Sequence, residues 1–319
     1  MANPNQPPRV SVVIPFLNDE RFLPEAIAAV FRQTYEDWEL VLVDDGSRDH
    51  STDIARGYAG RMPDRVFYLE HPGHENRGIS ASRNLGISRA RGTYVAFLDS
   101  DDVWPDTKLD EQVHIMEAHP AVDLLYGTAL VWYSWDKTSS NEDRDYIPDM
   151  RMPLDQVTPG VLLLTRSLRR EALSPSPSNI LVRRAAILEQ RPFEEQFRGM
   201  HEDQVFLAKL CLRSQLFVSG TCWQKYRQHS GSCVARASKR ERRAARRRYL
   251  KWLRKYLAEA GEQGSEIWTT VEEQLRPYRL TWRVRSRAVR LVRGLLPEAL
   301  RSWLTPRRGA QGRQQRKRG

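Results

Sequence analysis

The 319-residue sequence has few cysteines and no long hydrophobic run. Its three cysteines, Cys211, Cys222 and Cys233, are too few and too evenly spread for a disulfide framework or a zinc knuckle, which favours free thiols in a reducing compartment. Residues 1–8 are polar and lack the apolar core of a signal peptide. The most apolar stretch, 121–135, contains charged and polar residues and does not resemble a membrane span. These absences predict a cytoplasmic protein.

Acidic residues are scarce near the end of the chain. From residue 231 onward there are 25 Lys and Arg against 7 Asp and Glu, whereas the first 230 residues have 26 against 33. The whole chain has a net charge of +11. A mildly acidic body with a strongly basic tail indicates an anionic partner for the tail, either a membrane surface or a nucleic acid.

Strand-like and helix-like segments alternate in the first hundred residues. Four short apolar runs, at 10–15, 40–43, 66–69 and 95–98, are typical of buried strands, and helical spacing predominates between them. This alternation predicts a parallel sheet with right-handed crossovers, in which ligands bind at the carboxyl ends of the strands. We therefore expect an α/β fold built on a parallel sheet.

Polar side chains follow three of these strands directly. They are Asn18 after the first, Asp44 and Asp45 after the second, and Asp99, Asp101 and Asp102 after the fourth. Because these strand ends share one edge of the sheet, we expect the side chains to meet there. Clustered Asp oxygens suit Mg²⁺ or Mn²⁺, which in turn bind substrate phosphates. The alternative is an acid-rich turn that caps the next helix.

The rest of the chain has weaker patterns. We expect a helix over 106–118, one or two strands over 121–133, a long loop over the site at 135–159, an apolar segment with a helix at 179–190, and a helix that begins at 201–203. Two short strands, 216–218 and 222–226, precede a polar turn at 227–232. Basic amphipathic helices, with Trp and Leu on their apolar side, are then expected over 234–305. Residues 306–319 are expected to be a disordered basic end.

Six motifs resemble those of family 2 glycosyltransferases, which have the GT-A fold. They are VVIPFLN at 12–18, VDDGS at 43–47, SRNLG at 82–86, FLDSDD at 97–102, HED at 201–203 and YRQH at 226–229. They occur in the family's order and spacing, and neither the loop at 135–159 nor the tail is covered. The resemblance predicts an α/β fold with a Rossmann-like mixed sheet, mainly parallel and flanked by helices. This sheet would lie in a catalytic domain over 1–233, followed by a basic α-helical extension over 234–305 and a tail over 306–319.

The resemblance implies a nucleoside-diphosphate sugar as the donor. The implied donor-binding residues are Pro15, Asn18, Asp44, Asp45, Arg77, Arg83 and Asp101. Asp45 would bind the base, and because a carboxylate can accept the imide hydrogen of uracil, UDP is favoured. The alternative is that residues 44–47 only form a turn and a helix cap. Guanidinium groups suit phosphate oxygens, although Arg77 and Arg83 could instead be solvated surface residues.

The resemblance also implies a divalent metal cofactor, Mn²⁺ or Mg²⁺. Asp101 and Asp102 resemble the family's metal motif, with Asp102 expected as the more direct ligand and Asp99 as a supporting partner. His229 resembles a histidine near the diphosphate, where imidazole can ligate the metal or bind phosphate. The alternative for His229 is a polar turn without a ligand.

Two acids at the start of a predicted helix carry the implied proton chemistry. Asp203 matches the family's catalytic base, which takes a proton from the acceptor hydroxyl, and Glu202 would orient the acceptor. The implied reaction inverts the anomeric carbon. The alternative is that both acids only favour the start of a helix through its dipole.

The expected acceptor is a glycan or lipid-linked saccharide of a bacterial-type surface polysaccharide pathway. The basic helices over 234–305 would dock on an anionic membrane at its inner face, or else pack on the catalytic domain, and nucleic acid is a less favoured partner. A sugar nucleotidyltransferase would need a Gly-rich basic loop after the first strand, where this chain has FLNDE at 16–20. A non-enzymatic nucleic-acid-binding protein would transfer no sugar, and its binding would weaken steeply with salt.

Overall fold

The computed structural model describes residues 7–137, 142–189, 192–232 and 237–279. The chain divides into two compact units, Met1–Glu272 and Glu273–Gly319, and the second is described only over 273–279. The predicted helices beyond residue 279 and the basic end at 306–319 lie outside the described residues. The domain boundary predicted from the sequence lies at 233, before the end of the first unit.

Within the described ranges, eight strands form one mixed sheet in the order β3-β2-β1-β4-β7-β5-β8-β6. They are β1 (Val10–Phe16), β2 (Trp38–Asp44), β3 (Val66–Glu70), β4 (Tyr94–Phe97), β5 (Val122–Trp132), β6 (Gln156–Pro159), β7 (Ile180–Arg183) and β8 (Gln215–Arg227). Strands β1 to β4 are parallel to one another, as are β5 and β8, whereas β7 and β6 are antiparallel to their neighbours. The predicted mixed, mainly parallel sheet is confirmed.

Helices cover both faces of this sheet. They are α1 (Leu23–Phe31), α2 (Ser51–Arg61), α3 (Ile79–Arg89), α4 (Lys108–Ala118), α5 (Gly160–Arg169), α6 (Arg184–Glu189), α7 (Glu202–Cys211), α8 (Lys239–Glu259) and α9 (Glu266–Leu275). Side chains alternate along a strand, so Val12 and Ile14 of β1 join the core that α1 and α4 complete, while Val13 faces α3. Gly86 lets α3 approach closely, because a Cβ there would lie 2.3 Å from Val13 Cγ1.

The second half of the sheet differs from the prediction. The expected loop at 135–159 is wrong at its end, where residues 156–159 form edge strand β6 against β8. A proline is tolerated at the end of such an edge strand. The two short strands predicted at 216–218 and 222–226 are one strand, β8, whose register against β5 shifts near Tyr126 and Thr128. Helix α5 was not predicted.

Helix α8 is part of the first unit, with an apolar face that is buried and a basic face that is exposed. Its N-terminus has a capping box, in which Ser238 and Glu241 each accept a hydrogen bond from the other's backbone N–H. The buried side chains share one face and are Ala245, Tyr249, Leu250, Leu253 and Leu257. Among the residues that the structure describes, no helix combines the length and apolar character that a membrane span needs.

Candidate active site

Asp44, at the end of β2, holds the turn that leads to α2. Its side chain is fully buried and accepts hydrogen bonds from the Ser47 backbone N–H at 2.7 Å and from Thr52 Oγ1 at 2.5 Å. The Tyr68 hydroxyl also donates to Asp44 Oδ2, at 3.3 Å. The carboxylate is therefore engaged within the fold, where it stabilises the turn after β2.

Asp45 joins the end of β2 to the loop that precedes α3. It is 5% exposed, and its Oδ1 accepts hydrogen bonds from the backbone N–H groups of Arg77 and Gly78 at 2.8 and 2.9 Å. Gly46 has a φ of +85°, and a Cβ there would lie 2.8 Å from the carbonyl oxygen of His74. The glycine therefore allows the two loops to touch, which fixes the Asp45 carboxylate.

A cleft of about 690 Å³ opens beside Asp45. It is lined by Leu17, Asn18, Gly46, Arg48, Gly73, His74, Glu75 and Asn76. Asn18 has a left-handed backbone, with φ of 54°, and its Oδ1 accepts a hydrogen bond from the Arg48 backbone N–H at 2.7 Å. Pro15 is buried in β1 beside Val43 of β2, and the Arg77 side chain is exposed. Of the predicted donor-binding residues, Asn18 lines this cleft, whereas Asp44 and Asp45 are buried and precede its lining residue Gly46 in the chain.

Arg83 points into the protein rather than toward a solvent-facing site. It is 1% exposed, its Nη2 donates a hydrogen bond to Asp99 Oδ1 at 2.6 Å, and its Nη1 lies 3.8 Å from Glu202 Oε1. Burial lowers the pKa of Arg83, but the charges of Asp99 and Glu202 outweigh it and raise the pKa overall. The solvated-residue alternative for Arg83 is wrong, because the side chain bridges two carboxylates from β4 and α7.

Asp101 and His229 form a pair at the same edge of the sheet. Asp101 Oδ2 lies 2.9 Å from His229 Nε2, and the side chains are 26% and 16% exposed. The next residue, Asp102, is 1% exposed and turned inward, where its carboxylate accepts hydrogen bonds from Gln224 Nε2 at 2.6 Å and from the Arg227 backbone N–H at 3.1 Å. Asp101 is therefore the more accessible of the two carboxylates, whereas the oxygens of Asp102 are engaged within the fold.

Burial raises the pKa of Asp102 well above its usual range, and the neighbouring charges of Asp101 and Asp99 add to the shift. The carboxyl group is thus held in an environment that penalises its negative charge. Asp102 nevertheless connects the end of β4 to β8, because both of its hydrogen-bond donors come from that strand.

Arg227 is a site residue that the sequence did not reveal. Its Nε donates to the Asp101 carbonyl oxygen at 2.7 Å, its Nη2 pairs with Glu25 at 2.5 Å, and its guanidinium lies 4.6 to 5.1 Å from the ring centroids of Phe22, Trp132 and Trp135. The sequence prediction placed it in a polar turn. Only its position inside the YRQH motif, before His229, linked it to the site.

Asp19 and Ser100 form a second contact that the sequence did not reveal. The Ser100 hydroxyl donates a hydrogen bond to Asp19 Oδ2, which ties the loop after β1 to the loop after β4. Burial raises the pKa of Asp19, and the negative charge of Asp101 raises it further. The acids after β1 and β4 therefore influence one another, although about 80 residues separate them in the sequence.

Glu202 and Asp203 lie in the first turn of α7. Glu202 Oε2 is buried and has no hydrogen-bond partner among the described residues, whereas Asp203 Oδ1 accepts a bond from the Gln204 backbone N–H at 2.7 Å. Burial raises the pKa of Glu202, and the charge of Asp203 adds to the rise. Through Arg83, these acids connect to Asp99 at the end of β4.

The sequence model of the family described as "Glycosyl transferase family 2" matches residues 11–189, which is more than half of the chain. The chain belongs to glycosyl transferase family 2. Among curated proteins it is 40% identical over 114 residues to TuaG of Bacillus subtilis, a glycosyltransferase proposed for teichuronic acid biosynthesis; the match covers 35% of this chain and 43% of TuaG. It is 33% identical over 133 residues to the glycosyltransferase GlyG of Streptococcus pneumoniae, covering 41% of this chain and 42% of GlyG. The chain thus matches less than half the length of these relatives.

Solved structures share the fold of this family 2 chain. S. aureus TarS 1–349 in complex with UDP-GlcNAc has a TM-score of 0.64 and 18% identity, covering 86% of this chain and 74% of that one. The mannosyltransferase PcManGT from Pyrobaculum calidifontis, in complex with GDP-Man and Mn²⁺, has a TM-score of 0.51 and 19% identity, covering 94% of this chain and 84% of that one. At this identity the likeness shows the fold, which confirms the predicted GT-A architecture.

The candidate metal ligands of this family 2 chain fit a metal ion that is shared with a substrate. Among the side chains that the structure describes, no group of three or more His, Cys, Asp or Glu is arranged around a common metal position. Asp101 and His229 supply two donor atoms. Mg²⁺ usually takes one or two carboxylates and completes its shell with substrate phosphates and water, rather than with an all-protein cage. The pair offers two donor atoms for an ion whose remaining ligands would come from a bound diphosphate and water.

Proposed function

We propose that this chain transfers a sugar from a nucleoside-diphosphate donor, with UDP favoured, to an acceptor hydroxyl, with inversion at the anomeric carbon. The observation that carries the proposal is the connected set of acids at one edge of the sheet. Asp101 faces His229, Asp99 is bound by Arg83, and Arg83 lies 3.8 Å from Glu202, beside Asp203. A metal-binding carboxylate and a proton-accepting carboxylate are the two groups that such a displacement needs.

The cleft beside Asp45 is the proposed binding site for the base and ribose. The backbone N–H groups of Arg77 and Gly78 hold the Asp45 carboxylate in place, and this carboxylate is the proposed acceptor of an imide N–H from the base. The exposed Arg77 side chain is available to a phosphate. The complexes of TarS with UDP-GlcNAc and UDP support the choice of UDP, and the GDP-Man complex of PcManGT keeps a second nucleotide as a candidate.

Asp101 and His229 are the proposed ligands of Mn²⁺ or Mg²⁺. The chemistry that the ion supplies is neutralisation of charge on the departing nucleoside diphosphate. Arg227 holds the Asp101 backbone through its carbonyl oxygen, and Asp102 fixes the same turn from inside the protein. Asp102 is therefore proposed as a support for the metal site, and the Mn²⁺ in the PcManGT complex supports the choice of ion.

Asp203 is the proposed catalytic base. The acceptor oxygen attacks the anomeric carbon, its proton passes to an Asp203 oxygen, and the bond between the anomeric carbon and the phosphate oxygen breaks. Glu202 has a buried oxygen without a partner among the described residues, and a hydroxyl of either substrate could donate to it. An unpaired buried carboxylate oxygen is costly, so substrate binding at this point would be favoured.

The proposed acceptor is a glycan or lipid-linked saccharide of a surface polysaccharide, as the name of the TuaG relative suggests. The exposed cations of α8, which include Arg240, Arg247 and Lys251, would bring the protein to an anionic membrane where such an acceptor lies. Vesicles with and without anionic lipid would measure this contact, and binding that is equal to both would contradict it.

A panel of nucleotide sugars with Mn²⁺, Mg²⁺ or a chelator would test the function. We expect hydrolysis or transfer with one or a few UDP-sugars, lost on chelation. Formation of a nucleotide sugar from a nucleoside triphosphate and a sugar 1-phosphate would indicate a nucleotidyltransferase instead. Absence of turnover with every donor and acceptor would contradict the proposal.

A further inference from the structure

The residue before the two acids of α7, His201, has an unusual backbone conformation. His201 has φ of 68° and ψ of 12°, in the left-handed region that non-glycine residues rarely occupy. Its carbonyl oxygen accepts the first hydrogen bond of α7, from the Val205 backbone N–H at 3.0 Å. The orientation of His201 therefore sets the direction in which Glu202 and Asp203 leave the loop. A strained conformation of this kind persists only where the surrounding structure holds it.

The contact that holds His201 comes from the basic helix α8. The ring of Tyr249 stacks on the imidazole, with centroids 5.3 Å apart and planes 10° apart. Tyr249 is 1% exposed, so its ring is fixed inside the protein. Burial lowers the pKa of His201, and the positive charges of Arg246 and Arg248 on α8 lower it too, against the opposing charge of Asp203. The imidazole is thus favoured in its neutral form, which suits stacking on a phenol.

The same helix also contacts the loop four residues before His201. Trp252 packs edge-on against Phe197 at 6.0 Å, and the guanidinium of Arg248 lies 5.8 Å from the Phe197 ring centroid. Gly199, between Phe197 and His201, has a φ of +85°, and no heavy atom lies within 4 Å of the position that a Cβ would take there. Helix α8 therefore contacts both ends of a short segment whose middle has few neighbours.

We propose that Tyr249 is a positioning residue for the candidate base. Its stack on His201 fixes the start of α7 and thereby the orientation of the Asp203 carboxylate. This inference rests on the proposed function. It gives α8, which lies beyond the residues matched by the family model, a part in the reaction. The stack uses the buried face of the helix.

The test compares three variants of α8. Tyr249→Leu removes the stacking ring but keeps an apolar side chain, whereas Tyr249→Phe keeps the ring. Leu257→Ala is the matched control, because Leu257 is equally buried on α8 but lies eight residues, or about 12 Å, further along the helix. Each variant is assayed below its unfolding temperature.

We expect Tyr249→Leu to lower kcat about 100-fold, the loss typical of a misplaced catalytic group, while the donor KM changes by less than about threefold. Tyr249→Phe should restore kcat, and Leu257→Ala should leave it unchanged. A kcat of Tyr249→Leu equal to that of the unmodified chain would overturn the inference, as would equal losses in Tyr249→Leu and Leu257→Ala.

Amide hydrogen exchange tests the same stack without any assay of activity. We expect exchange in the first turn of α7 to quicken in Tyr249→Leu but not in Tyr249→Phe or Leu257→Ala, while exchange in β1 stays constant. Unchanged exchange at the start of α7 in Tyr249→Leu would overturn the inference. If the unmodified chain turns over no donor but the exchange result holds, the proposed function fails and the structural role of Tyr249 stands.

Discussion

The acids that follow β4 and the acids that begin α7 are held in contrasting ways. Asp99 and Asp102 are bound by side chains or backbone groups from Arg83, Gln224 and Arg227. Among the described residues, Asp203 is bonded only within its own turn, to Gln204, and Glu202 keeps one buried oxygen without a partner. Asp99 and Asp102 are fixed before any substrate binds, whereas the α7 acids have capacity left for one.

This contrast suits the two proposed roles. A metal site needs oxygens at set positions, because Mg²⁺ and Mn²⁺ require a defined geometry, and rigid partners supply this. A general base needs an oxygen that is free to receive a proton from the acceptor. Substitutions in the two groups should therefore have separable effects, one on metal binding and the other on the chemical step.

The largest effect is expected at Asp203. Asp203→Asn keeps the shape of the side chain but removes the proton acceptor, so kcat should fall about 10²- to 10⁴-fold. Donor and metal affinity, measured by calorimetry, should change little. Asp110→Asn, at an exposed position on α4, is the control for the loss of one charge. Transfer at the normal rate by Asp203→Asn would show that another group accepts the proton.

The second-largest effect on activity is expected from substitution of Asp101. Asp101→Asn should raise the Mn²⁺ concentration that gives half-maximal activity by at least about 10- to 100-fold, since even indirect partners of a metal contribute that much. Excess Mn²⁺ should restore part of the activity, which distinguishes this variant from Asp203→Asn. Asp64→Asn, at an exposed position, is the control. An unchanged Mn²⁺ requirement would place the metal elsewhere.

The smallest effect is a change in the pH dependence of stability at Asp102. Burial raises the pKa of the Asp102 carboxyl in the folded protein. The carboxyl therefore contributes fully to the free energy of unfolding at pH values below its usual pKa of 3.8. That contribution is lost as the pH rises through the pKa that the group has in the folded protein. Asp102→Asn cannot ionise, so its unfolding free energy should depend less on pH.

Urea unfolding without metal, over about pH 4 to 8, measures this difference, which one group limits to about 1.4 kcal/mol per pH unit. The comparison uses how steeply the unfolding free energy changes with pH, not its absolute value. An Asn amide would accept the hydrogen bonds of Gln224 and Arg227 less well, which changes the absolute value by itself. Equal slopes for the two proteins would mean that Asp102 titrates at its usual pKa.

The sequence predicted the first half of the sheet well because each strand there has a continuous apolar run and a helix follows it. The second half was harder. Ser219, Gly220 and Thr221 interrupt the apolar pattern of β8, so one strand was taken for two, and β6 has too few apolar residues to resemble a strand. Helix α5 was overlooked although its leucines recur at helical spacing; Leu163, Leu164 and Leu168 are buried.

The sequence indicated candidate site residues but not their orientation. Adjacent acids such as Asp101 and Asp102 are equivalent in a motif, and the inward turn of Asp102 depends on Gln224 and Arg227, more than 120 residues later in the chain. The same limit applies to Arg83, whose partners Asp99 and Glu202 come from separate parts of the sequence. Motifs indicate which residues matter, whereas long-range contacts decide what each one does.

The most direct test of the account is the anomalous scattering of Mn²⁺ in crystals grown with an intact nucleotide-sugar analogue. We expect a single peak in contact with Asp101, His229 and the diphosphate, with Asp203 free of metal and facing the anomeric carbon. A Mn²⁺ peak beside Glu202 or Asp203, or a diphosphate bound away from Asp101, would contradict the account, which assigns metal binding to the acids after β4 and proton transfer to the acids of α7.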